Sequence, residues 1–145
     1  MKSHYRSAVI GGGVVGASAL YHLAKMGWND VVLVEKIEYT SGSTWHAAGL
    51  LPLFNMSYSV GKIHKYSVDL YQSLEEETGQ HVSFHKTGNL RLARNQERMD
   101  EYKRYCGTAS TIGVPFEMIG PAEIKKLWPF AKVDDLVGAL FHPDD

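Results

Sequence analysis

The chain has 145 residues, with 15 Lys and Arg against 16 Asp and Glu and a formal net charge of −1. Apolar residues at 44% and charged residues at 21% are an ordinary globular balance, which excludes a disordered or fibrous chain. The near-neutral charge gives no electrostatic footprint for nucleic acid or an anionic membrane, and a single cysteine, Cys106, excludes a disulfide framework or a Cys-rich zinc site.

Tyr5 to Ile10 reads as a short buried strand running straight into Gly11-Gly12-Gly13. From Val14 to Met26 the apolar residues Val15, Ala19, Leu23 and Met26 recur at helical spacing, and Gly27 stands where a glycine ends a helix. Val31 to Val34 is a continuous apolar run, which suits a parallel strand covered on both faces. The first 35 residues therefore read as β-α-β. The apolar stretch Ala8 to Leu20 is too short for the roughly 20 residues of a membrane helix. It also runs into an amphipathic helix without stopping at the Ala17-Ser18-Ala19 that imitates a cleavage site, so a cytoplasmic chain is expected.

Lys36 to Pro52 is a loop rich in Ser, Thr and Gly. A helix is predicted over Val60 to Thr78, with Val60, Ile63, Ser67, Leu70, Tyr71 and Leu74 on its inner face and Lys62, His64 and Lys65 on its polar face. Gly88 to Ala93 alternates as a strand. A helix over Gln96 to Ile112 turns Met99, Tyr102, Cys106, Ala109 and Ile112 inward, with Cys106 a buried, inert thiol. Phe116 to Ile119 is strand-like, Pro121 starts a short helix ending near Trp128, and Leu136 to His142 is a last apolar strand. A doubly wound sheet needs at least three or four parallel strands and only two convincing ones precede residue 40, so the chain reads as a fragment of a longer protein.

Gly11-x-Gly13-x-x-Gly16 lies between the first strand and the first helix, the context that gives this pattern meaning. Gly11 permits the tight turn, Gly13 lets backbone approach a pyrophosphate, and Gly16 lets helix and strand pack closely. The helix N-terminus supplies free N–H groups for the phosphates. Glu35 closes the second strand 19 residues after Gly16, placed to accept hydrogen bonds from ribose hydroxyls and to disfavour a 2′-phosphate. A tight βα turn without ligand is the plain alternative; the acid in register favours a dinucleotide, with FAD and NAD both open.

The loop Thr40 to Leu50 leaves the second strand on the ligand side of such a sheet. His46 is its one side chain with nucleophilic capacity near neutral pH. Composition alone favours the plainer reading, a hydrogen-bonding loop histidine with Trp45 as a packing anchor. His81 and His85 are four apart, but Gly79 before them and the residues between argue against a helical metal pair, so no metal site is expected. Arg91 and Arg94 either reach an anionic substrate or are strand surface charges.

The runs GGGVVGASALYHLAKMGWNDVVLVEK and SGSTWHAAGL, continued by LYQSLEEETGQ, FHKTGNLRLA, RMDEYKR and VDDLVGALFHPDD, resemble the N-terminus of the dimethylglycine and sarcosine dehydrogenase family. The resemblance covers essentially the whole chain. It implies an α/β fold: the Rossmann-like, FAD-binding βαβ start of a D-amino-acid-oxidase-like fold, with residues 1–80 in the FAD-binding domain and 81–145 beginning a mixed-sheet substrate domain, incomplete. It also implies FAD lined by Gly11, Gly13, Val14, Val15, Gly16, Glu35, Lys36, Gly42, Ser43, Thr44, Trp45, His46, Ala47, Ala48, Gly49 and Leu50. In that family the histidine of the S-T-W-H motif is bonded to the flavin 8α-methyl group, a role that maps onto His46.

The implied reaction is oxidation of an N-methyl amino acid of dimethylglycine or sarcosine type. A hydride passes to flavin, and the iminium gives formaldehyde or, with tetrahydrofolate in the full-length parent, methylene-folate. Electrons then go to a transfer partner or oxygen. Catalytic residues that hold the amine are not assignable within these residues, and no nucleic acid or membrane insertion is implied. A eukaryotic source would place the protein in the mitochondrial matrix, its transit peptide removed. The competing reading is a non-catalytic regulatory relative on the same scaffold, which lacks the Trp-His pair that Trp45-His46 retains here, or an inactive truncation.

Overall fold

The computed structural model describes residues 2–145, which form two compact units divided between Leu50 and Leu51. In the first unit, strand β1 (Ser7–Ile10), helix α1 (Val14–Lys25) and strand β2 (Val31–Val34) follow in order. The strands pair in parallel with Ser7 opposite Val31 and Ile10 opposite Val34, and Gly11 N–H donates to the Val34 carbonyl at 2.8 Å. The helix ends where Gly27 takes φ +86°, and Trp28 N–H folds back to the Leu23 carbonyl at 3.0 Å. A 3-10 turn, Ser43–His46, is the one regular element of the loop that follows β2.

The expectation of buried strands fails in this unit. Ile10 is 88% exposed and Val34 49% exposed, and α1 has no buried residue. The apolar run is that of a strand covered on both faces, but among the described residues this sheet has two strands, and its own unit holds the one α-helix α1.

The second unit holds α2 (Tyr58–Thr78), β3 (Asn89–Ala93), α3 (Gln96–Thr111), β4 (Glu117–Ile119), α4 (Pro121–Leu127) and β5 (Gly138–His142). Its strands form an antiparallel sheet in the order β3-β5-β4, with Arg91 opposite Leu140 and Met118 opposite the same residue. The helices start on local caps. The Ser57 hydroxyl accepts the Val60 N–H, the Asn95 side chain accepts the Arg98 N–H at 2.9 Å, and Pro121 opens α4. One core gathers Leu53, Val68, Ala93, Tyr102, Tyr105, Ala109, Val114 and Leu140; a second gathers Ile119, Ile124, Ala131 and Ala139.

Two helix faces differ from expectation. On α2 the buried residues are Gly61 and Val68, while Val60 and Ile63 are exposed and His64 and Lys65 are half-buried. Gly61 explains the rotation, since a Cβ there would stand 2.7 Å from the Ile112 side chain. A small residue thus sets a close approach to the end of α3 that a count of large apolar residues misses. On α3, Tyr105 is fully buried and Cys106 only half so; burial still pushes the Cys106 thiol pKa up. The Tyr105 hydroxyl donates to the Leu53 carbonyl at 3.1 Å, and the Leu53 N–H is taken by the Asp145 carboxylate. Among the described residues, no helix is long and apolar enough to cross a membrane.

Candidate functional site

The site is the turn between β1 and α1 with the loop that leaves β2. Gly11 takes φ +102°, a conformation that side chains disfavour. A Cβ at Gly16 would collide with the Gly11 carbonyl oxygen, so the third glycine is what allows the first turn of α1 to lie against the end of β1. Gly12 is buried beneath the Tyr39 ring.

Glu35 joins the two ends of the unit. Its carboxylate accepts the Gly12 N–H at 2.6 Å on one oxygen, and the Lys36 and Ile37 N–H groups at 2.7 and 3.0 Å on the other. These backbone bonds, the Gly12 one foremost, hold the carboxyl pKa below its usual value. A carboxylate offers about four lone-pair directions, so roughly one remains for a ribose hydroxyl.

The loop folds back onto the same turn. Thr40, at φ 66°, donates its N–H to the Gly12 carbonyl at 3.0 Å, and the Thr44 hydroxyl accepts the Val14 N–H at 2.9 Å. The 3-10 turn carries His46, whose Nδ1 lies 3.1 Å from the Gly42 carbonyl oxygen. With that oxygen as acceptor, Nδ1 bears a proton, and in the neutral ring it is Nε2 that holds the lone pair. Val14, Val15, Lys36, Gly42, Ser43, Trp45, Ala47, Ala48, Gly49 and Leu50 are all exposed, with Trp45 at 77%.

Gly11, Gly13, Gly16, Glu35, Thr44 and His46 are thus collected within one unit. From Ala47 to Leu50 the chain is exposed and has no regular secondary structure, with Gly49 at φ 72°. Sequence reasoning passed over Gly12, Tyr39 and Thr40. Gly12 occupies an unspecified position of the glycine fingerprint, and nothing local to Tyr39 or Thr40 signals their packing against it.

In the second unit, His81 Nδ1 stands 2.9 Å from the Glu75 carboxylate, and its ring lies 6.4 Å from that of His85. The Arg91 guanidinium lies over the Phe54 ring at 4.2 Å, and Arg94 pairs with Asp135 at 3.3 Å.

The first turn of α1 contains no acidic side chain, so its N-terminal N–H groups and partial positive charge favour an anion. A parallel βαβ unit with this glycine turn, and an acid closing its second strand, defines a dinucleotide-binding protein. Residues 6–145 match the DAO family, FAD dependent oxidoreductase, and the chain belongs to that family.

The chain is 46% identical over 144 residues to rat (Rattus norvegicus) dimethylglycine dehydrogenase, mitochondrial, covering 99% of this chain and 17% of that protein. It is 41% identical over 137 residues to the mouse (Mus musculus) pyruvate dehydrogenase phosphatase regulatory subunit, mitochondrial, covering 94% of this chain and 16% of that one. Among solved structures, L-proline dehydrogenase from P. horikoshii superposes with a TM-score of 0.91 at 31% identity, covering all of this chain and 38% of that one. The chain therefore spans about a sixth of the length of these curated relatives.

Proposed function

We propose that this chain supplies the phosphate-and-ribose half of the FAD site, and the beginning of the substrate domain, of an enzyme that oxidises N-methyl amino acids of dimethylglycine or sarcosine type. The observation that carries the reading is the docking of the His46 turn onto the glycine cradle through Thr40 and Thr44, in a chain 46% identical to a dimethylglycine dehydrogenase. On this reading, residues 1–80 belong to the FAD-binding domain and 81–145 begin the substrate domain.

The residues present fit the cofactor. The start of α1 carries no acidic side chain and favours an anion, the fingerprint glycines keep side chains out of the turn, and Glu35 has lone-pair capacity left for one ribose hydroxyl. When bound, FAD supplies the acceptor for a hydride from an N-methyl carbon, and the iminium left on the substrate gives formaldehyde with water or is captured by tetrahydrofolate. Glu35 fixes the turn and excludes a 2′-phosphate by charge. His46, with its Nδ1 proton held at the Gly42 carbonyl and Nε2 free, is the residue that would carry FAD covalently. A transfer partner or oxygen would then be the final electron acceptor.

The similarity to a phosphatase regulatory subunit supports a second, non-catalytic reading. The catalytic one is preferred because Trp45-His46 is retained and His46 is exposed. Both matched relatives are named as mitochondrial, which favours a mitochondrial location for a eukaryotic source; the same reading places the protein of a source without mitochondria in the cytoplasm. The test is anaerobic mixing of the intact, flavin-loaded protein with dimethylglycine, sarcosine and glycine betaine. Bleaching of the flavin absorbance by either of the first two supports the reading. No bleaching by any of them rejects it in favour of the regulatory one.

A further inference from the structure

We propose that Thr44 is a positioning residue that couples capture of the cofactor's pyrophosphate to presentation of His46. The inference deepens the flavin-site reading above and rests on it. Helix α1 has no cap of its own, because Gly13 offers no side chain and the first turn holds no acid. Thr44, 30 residues further along, supplies the cap through the bond from Val14 N–H to its hydroxyl oxygen. Glycine at position 13 is a condition of this contact, since a Cβ there would stand 2.9 Å from Thr44 Oγ1.

A hydroxyl carries one donor and two acceptor sites. Capping Val14 uses an acceptor and leaves the O–H to donate to an anion held at the same helix end. The neighbouring Ser41 is not equivalent, as its hydroxyl is already spent on the Glu38 carbonyl at 2.8 Å.

Thr44 also sits in the middle of the turn that carries His46. Its carbonyl accepts the Ala47 N–H at 3.2 Å, while the Trp45 N–H bonds the Thr40 carbonyl at 3.1 Å. With Thr40 bound in turn to Gly12, the turn is pinned to the cradle on both sides of Gly42. A pyrophosphate oxygen that accepts the Thr44 O–H therefore fixes the backbone two residues before His46. Phosphate capture and imidazole position become one event.

The test compares Thr44→Val, which keeps the shape and loses the hydroxyl, with Thr44→Ser, which keeps the hydroxyl, in the intact protein. Three quantities are read: the thermal midpoint without FAD, the FAD dissociation constant in a His46→Ala background, and the rate at which acid-stable flavin forms. Thr44→Val is expected to lower the midpoint by a few degrees, to weaken FAD by roughly tenfold or more, and to slow acid-stable incorporation by at least as much. Thr44→Ser is expected to restore all three. Wild-type affinity and incorporation in Thr44→Val overturn the proposal, even with a lowered midpoint, since that pattern is a structural cap alone. Equal impairment of Thr44→Ser overturns it too. A wild-type protein without acid-stable flavin refutes the His46 linkage instead; Thr44 is then judged by FAD affinity, where an unchanged Thr44→Val value overturns the proposal as well.

Discussion

The Gly12 N–H donates to the Glu35 carboxylate at 2.6 Å, joining the glycine turn to the end of β2 within the protein itself. Glu35 is therefore a builder of the cradle as well as a ribose acceptor. Its carboxyl pKa is held below the usual value by backbone N–H groups, so its contribution is complete above that value and is lost as pH falls through the lowered one.

Glu35→Gln keeps the shape but replaces one accepting oxygen with an NH2 donor, which cannot satisfy backbone N–H groups on both sides. The expected outcome is a lower thermal midpoint without FAD, together with FAD binding weakened by roughly tenfold or more. A thermal scan of the apo protein separates this from a ribose-only role, in which the apo midpoint would not move.

Much of this architecture is legible locally. Val31–Val34 is a strand over the residues its apolar run marks, and α1 starts at Val14 because glycines precede it and apolar spacing follows. The bonds that make the site are another matter. Glu35 to Gly12 spans 23 residues and Thr44 to Val14 spans 30, and no local pattern encodes such pairings. The face of α2 departs from its apolar spacing for a related reason: what decides it is the fit of Gly61 against Ile112, a property of the partner rather than of the helix. The exposure of β1 and β2 could not be read from their composition, which describes a strand inside a larger sheet.

Gly16→Ala is the sharpest steric test of the cradle. The added methyl meets the Gly11 carbonyl oxygen, which cannot retreat without disturbing the bond from Gly11 N–H to Val34. A loss of about 2–4 kcal/mol in stability is expected, with FAD binding abolished. Gly27→Ala, at the far end of α1, is the control: it is strained by its φ of +86° but meets nothing, so it should lower stability and leave the FAD dissociation constant unchanged.

His142 supplies a pH dependence in the second unit. The side chain is fully buried, with its ring 5.6 Å from that of Tyr105. Burial, aided by Arg91, holds its pKa below the usual 6.5, while Asp145 and the Pro115 carbonyl act in the opposite direction. Below about pH 6.5 the unfolded chain takes up the proton first. Stability is therefore complete above that pH and declines as pH falls toward the lowered folded value, by at most about 1.4 kcal/mol per pH unit from this group. Urea unfolding at pH 7.5 and 5.5 should show this decline in the wild type and a smaller one in His142→Gln.

Whether the cradle and the His46 turn form one flavin site is tested most directly by precipitating the purified intact protein with acid and measuring the flavin absorbance that stays with the pellet. One site gives yellow wild-type protein with about one acid-stable flavin per chain, and a His46→Ala variant that still binds FAD but releases all of it into the supernatant. Acid-stable flavin in His46→Ala, or a wild type that takes up no flavin at all, would contradict it.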